Sequence, residues 1–130
     1  MRLLVVVALL GVLAVGCGGP SADLFVVERT GSVPGADLGM LVSDDGVRCN
    51  DGPELDISSD QLLEARALAR DLADVEQAQI PAAEPVIFGF TVRSESGTLR
   101  FADTTRRPVV LPRLVRFVRG LARDVCRLPR

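Results

Sequence analysis

Apolar and polar residues change period several times along this chain, and the changes mark its elements. Asp23–Thr30, DLFVVERT, is dense in branched and aromatic residues and predicts a first strand. Gly31-Ser32-Val33-Pro34-Gly35 has turn composition. Leu38, Met40 and Val42 then recur at every second position, the period of a half-buried strand. Ser43-Asp44-Asp45-Gly46 carries the Asp-Gly hairpin signal, so Val47–Asn50 is expected to return antiparallel. In that return Val47 and Cys49 face inward and Arg48 outward. Asn50-Asp51-Gly52-Pro53 is expected to break the strand.

The period then lengthens. Ser58 with Gln61 three residues on forms a capping box, and Asp60 complements the N-terminal end of the helix dipole. Ala65, Leu68, Leu72 and Val75 make the buried stripe, with an Arg70–Asp74 pair expected outside. IPAAEP at Ile80–Pro85 stops the helix. Val86, Phe88, Phe90 and Val92 alternate inward, with Arg93 on the other face. Ser94-Glu95-Ser96-Gly97 turns that strand, and Thr98–Ala102 returns with Leu99 and Phe101 inward. Pro112–Leu128 is a second amphipathic helix. Its stripe of Val115, Val118, Ala122 and Cys126 is flanked by Leu114, Leu121 and Val125, with Phe117 at its edge. The order β-β-β-α-β-β-α predicts an α+β domain, an antiparallel sheet of about five strands with two helices packed on one face.

Upstream of this domain the periodicity vanishes. Arg2 precedes an uncharged apolar run from Leu3 to Val15, closed by Ala14-Val15-Gly16-Cys17: the order of a secretory signal. The end of the run resembles a lipoprotein box, in which the cysteine after the cut carries the lipid. Residues 1–16 are then the signal peptide, 17–22 the lipidated Cys17 and a short tether, and 23–130 the folded domain. Ala14 stands where that box normally has Leu, and Ala14-Val15-Gly16 also fits ordinary signal peptidase, so a released form stays open. The run is shorter than the roughly 20 residues a membrane-spanning helix needs. The expected address is the extracytoplasmic face of the cell membrane.

Composition narrows the chemistry. His, Lys, Trp and Tyr are absent and all fifteen cationic residues are Arg. Without His the chain has no Ser-His triad, Cys-His dyad or His-bearing zinc site, so a non-enzyme with no cofactor and no metal is expected. With Cys17 given to lipid, Cys49 and Cys126 form an even pair in an oxidising compartment and are expected to be disulfide-bonded. Charge is segregated. Asp37–Glu76 holds eleven acids against three Arg, whereas Arg93–Arg130 holds ten Arg against three acids. Arg116, Arg119, Arg123 and Arg127 recur along the last helix with Arg113 near them. This stripe suits anionic lipid headgroups, an acidic wall polymer or an envelope protein; its plainer reading is a solvated helix face.

Asp44, Asp45, Asn50, Asp51, Glu54 and Asp56 have the oxygen chemistry of a calcium loop without its spacing, and two tight turns account for them. Ser94, Ser96, Thr104 and Thr105 have no base to activate them. Nucleic acid is not an expected partner, given the compartment, the acidic pI of about 5.1 and the lack of exposed stacking aromatics.

Three segments carry a resemblance: ADLFVVERTGSVPGA at Ala22–Ala36, LLEARALARDL at Leu62–Leu72 and LARDVCRLPR at Leu121–Arg130. With them the chain resembles small exported lipoproteins of high-G+C Gram-positive bacteria, a resemblance that implies an anchored envelope protein and no particular activity. In outline it is also similar to the subtilisin-inhibitor-like family, where a hairpin leads to a cysteine, a helix and a reactive loop. That likeness would make Gln77–Pro85 the inhibitory loop, without the cysteine that braces it in the family. The expected function is a non-catalytic binding or accessory module tethered to the membrane through lipid on Cys17; the alternative is a protease inhibitor acting through Gln77–Pro85.

Overall fold

The computed structural model describes residues 23–128. The signal segment, Cys17 and the tether lie outside the described residues. Six strands, β1 (Asp23–Gly31), β2 (Leu38–Ser43), β3 (Gly46–Cys49), β4 (Glu54–Leu55), β5 (Phe88–Ser94) and β6 (Gly97–Ala102), form one sheet. Its order is β4-β3-β2-β1-β5-β6 and every pairing is antiparallel. Two helices, α1 (Ser59–Ala73) and α2 (Val110–Asp124), complete the α+β architecture.

Alternation in the strands is what builds the core. Phe25 and Val27 of β1, Met40 and Val42 of β2, Val47 of β3, Phe90 and Val92 of β5, and Leu99 and Phe101 of β6 are all buried. They join Ala65, Leu68 and Leu72 of α1 with Leu111, Leu114, Val118 and Leu121 of α2 in one cluster. Such interdigitated side chains are close-packed, so each contributes both burial and contact. Phe90 stacks on Phe101 with ring centroids 5.2 Å apart, and Phe117 meets Phe25 edge-on at 6.5 Å. The opposite face of the sheet carries Glu28, Arg48, Arg93, Thr98 and Arg100, all exposed.

Four details depart from the sequence-based expectation. A sixth strand exists because Asn50, at φ 54°, turns the chain tightly enough for Glu54 and Leu55 to pair with Arg48 and Val47. The capping box of α1 is present, but the helix ends at Ala73 and leaves Val75 in the following loop. Asp74 therefore closes the helix through its backbone N–H and forms no ion pair with Arg70. Val86 precedes β5 and is 71% exposed. The Asp103 carboxylate takes the N–H groups of Val86, Ile87 and Phe88 at 2.8–3.0 Å, which holds Val86 and Ile87 outside the ladder that begins at Phe88. Finally α2 runs two residues earlier at its start and four shorter at its end than the periodicity predicts. Leu111 and Val110 are buried, so the apolar stripe begins before Pro112, which fits the first turn of a helix.

Candidate functional site on the second helix

α2 shows why its sequence divides into two faces. Val110, Leu111, Leu114, Val118, Leu121 and Ala122 turn to the sheet. At 3.6 residues per turn, Arg116, Arg119 and Arg123 fall within about 60° of one another on the opposite side. All three are exposed. Arg116 and Arg119 make no ion pair among the described residues, while Arg123 is bonded to the adjacent Asp124 at 2.7 and 2.9 Å.

The other two arginines of the expected stripe do not join them. Arg113 points across to α1. Its Nε donates to Glu64 Oε1 at 2.9 Å and its Nη1 to Asp71 Oδ2 at 2.7 Å. The hydrogen bond that Arg113 donates to Asp71 is the main reason that the Arg113 pKa is raised. The acidic and basic halves of the sequence are thus stitched together at the helix–helix seam. Arg127 lies beyond the helix, at φ 53°, in the left-handed conformation that reverses the chain. Leu128 then returns far enough to donate its N–H to the Ala122 carbonyl at 2.9 Å.

That reversal also places Cys126. Cys49, on the inward face of β3, and Cys126, just past α2, stand at disulfide distance, with Cα atoms 6.0 Å apart and 77 residues between them in sequence. The pair holds the end of α2 over the β2–β3 side of the sheet.

Beside this end of α2 the structure adds a residue that the sequence reading passed over. Arg29 continues the inward series Phe25, Val27 and so puts a guanidinium on the core face of the sheet. Its Nε donates to the Ala36 carbonyl at 2.7 Å, and its charged carbon lies 4.7 Å from the centroid of the Phe88 ring. Burial first, and the neighbouring Arg119 second, lower its pKa; Asp37 acts in the opposite sense without forming an ion pair. Arg29, Arg119 and Arg123 rim a cleft of about 450 Å³ whose walls include Val33, Pro34, Phe88 and Leu128. The signal was present in the strand alternation: a charged residue at the third inward position of β1.

The remaining candidates have structural work. Asp44 pairs with Arg66 at 2.8 Å, and Asn50 Oδ1 accepts the Gly39 N–H at 3.1 Å. Among the described residues no three His, Cys, Asp or Glu side chains converge as a metal site. Thr105 Oγ1 accepts the Ala102 N–H, Thr104 donates to the Glu84 carbonyl, and Ser94 and Ser96 contact each other across a turn. In the Gln77–Pro85 loop, Gln77 bonds both the N–H and the carbonyl of Arg100 through its side-chain amide. Ile80, the one large apolar side chain of that loop, is buried in the core. The exposed positions, 77–79 and 81–85, offer an incoming protease only Gln, Ala, Pro and Glu side chains.

No family model, no curated protein and no solved structure matches this chain.

Proposed function

We propose that this protein is a membrane-anchored extracytoplasmic lipoprotein whose domain is a non-catalytic binding module of the cell envelope. Its outer α2 face would take an anionic envelope component. The observation that carries this reading is that Arg116 and Arg119 stand exposed beside Arg123, with no acid bonded to either among the described residues. Arg113 is paired with Glu64 and Asp71, and Arg66 with Asp44. Arg48, Arg70, Arg100, Arg106 and Arg107 are also without an ion pair among the described residues, but only on α2 do two such arginines share one helix face with a third. Unpaired Arg at close spacing supports salt-sensitive attraction to an anionic surface. The signal-like segment before Cys17, the lipoprotein resemblance and the paired Cys49 and Cys126 support an exported address. The inhibitor alternative has less support, because Ile80 is turned inward and unavailable to a protease pocket.

Two measurements test the reading. Intact mass of the protein recovered from membranes should show acyl mass on Cys17; an unacylated protein found only in the medium would overturn the anchor. In a Cys17→Ser form, Arg116→Gln with Arg119→Gln should weaken envelope association at low salt. Association that is unchanged by these substitutions and by added salt would remove the role given to α2.

A further inference from the structure

We propose that the cleft between the second half of α2 and the β1–β2 connection is a binding site for a small amphiphilic oxyanion. The ligand class is a free acyl carboxylate, with its head at Arg29 and Arg119 and its apolar body along Phe88, Val33 and Pro34. The assignment needs Arg29, which the surface reading does not use, and it stands whether or not Cys17 carries lipid.

Three features converge on this ligand. The first is the wall. Val33, Pro34, Ala36, Phe88, Ala122 and Leu128 make it mostly apolar, and at about 450 Å³ the cleft falls within the roughly 300–1,000 Å³ range of small-molecule sites. The second is the head group's partner. Arg29 spends Nε on Ala36, and its terminal nitrogens donate to none of the described residues. That leaves the fork of donors that fits a carboxylate or phosphate. The bond to Ala36 and the Phe88 ring beneath hold this fork in place, so little ordering entropy remains to be lost on binding.

The third is repulsion that the nearby Asp37 offsets only in part. Arg29 and Arg119 are close enough for one to disfavour the charge of the other, and neither has an acid bonded to it among the described residues. An anion between them would cancel that repulsion. A partner without charge would leave it, and a partner without an apolar body would leave Phe88 and Leu128 uncovered. Arg29 is only half exposed and sits on the core face of the sheet. A small free acid can reach it, whereas the plane of a bilayer meets the outer α2 arginines first.

The test is calorimetric titration of the Cys17→Ser chain with decanoate below its micelle concentration. Acetate supplies the head without the body, decanol the body without the head, and phosphatidylglycerol vesicles the membrane source. Saturable one-to-one binding of decanoate, at least tenfold tighter than acetate or decanol, is expected. Arg29→Gln should weaken it at least tenfold. Val33→Glu places a like charge in the cleft at a residue 45% exposed, and should do the same while leaving the thermal melt unchanged. Decanoate binding no tighter than acetate, or binding unaltered by both substitutions, would overturn the assignment. Binding to vesicles alone would also overturn it while sparing the surface reading; decanoate binding without vesicle binding would do the reverse.

Discussion

Breaking the Cys49–Cys126 link should remove a large share of this domain's stability. The two residues are 77 apart in sequence, so the bond closes most of the folded chain into one loop. The chain-entropy relation gives about 4.5 kcal/mol for a loop of that length. Small domains are stable by only about 5–15 kcal/mol, so the loss is between a third and nearly all of the total. In a domain of this size it corresponds to a fall in melting temperature on the order of 20 °C. Both cysteines are half-buried, so Cys49→Ala with Cys126→Ala loses comparatively little packing. Urea unfolding followed by circular dichroism should be run on the oxidised protein, the reduced protein and the double variant. The reduced and substituted forms should unfold at much lower urea and with a steeper denaturant dependence, because their unfolded chains expand further. Stabilities within about 1 kcal/mol of each other, or two free thiols in the native protein, would refute the reasoning.

Arg113→Gln severs both bonds to α1; because the groups are partly exposed, the cost should be about 1 kcal/mol and shrink in high salt. Arg116→Gln should change stability by less than about 0.5 kcal/mol, and equal losses from the two by thermal melting would contradict their different placement. Asp103 gives a pH prediction. Burial would raise its pKa, but the N–H groups of Phe88, Val86, Ile87 and Thr104 outweigh that and hold it below its ordinary value. A depressed carboxyl pKa stabilises the fold fully above the unfolded value of about 3.9 and loses that contribution as pH falls through the folded one. Protection of the Val86–Phe88 amides, taken against the intrinsic exchange rate at each pH, should therefore fall as pH drops through the folded carboxyl value, and Asp103→Ala should lower it at neutral pH. Protection at these amides that survives acid and the substitution would rule out the brace.

Strand faces and helix stripes were legible because they follow from a period of 2 or 3.6 set by burial. Phe88, Phe90, Val92, Leu99 and Phe101 in the sheet and Ala65, Leu68 and Leu72 in α1 illustrate this. What escaped the pattern depends on single contacts across the sequence. Val86 alternates correctly yet stays outside β5 because a carboxylate seventeen residues on captures its N–H. Glu54–Leu55 is too short for any periodicity, and pairs because Asn50 turns the chain. The basic stripe was legible as spacing on α2, but spacing does not reveal that Arg113 faces Glu64 and Asp71. Arg29 was visible as a charge at an inward strand position; its significance needed Arg119 and Phe88, brought beside it by the tertiary fold.

The direction of β1 gives the domain a polarity. The chain enters the sheet at Asp23, and Arg29 comes six residues later, roughly 20 Å away at the rise of an extended strand. That is at least twice the screening length of about 8–10 Å in physiological salt. An anchor at Cys17, as proposed, would connect to the sheet through Asp23, so a domain standing upright on its tether would carry Arg29 and Arg119 outside the electrostatic reach of its own bilayer. Attachment and recognition would then occupy opposite poles of one strand. The arginine pole would sample the periphery of the envelope while the acidic phospholipids below were hidden from it by counter-ions.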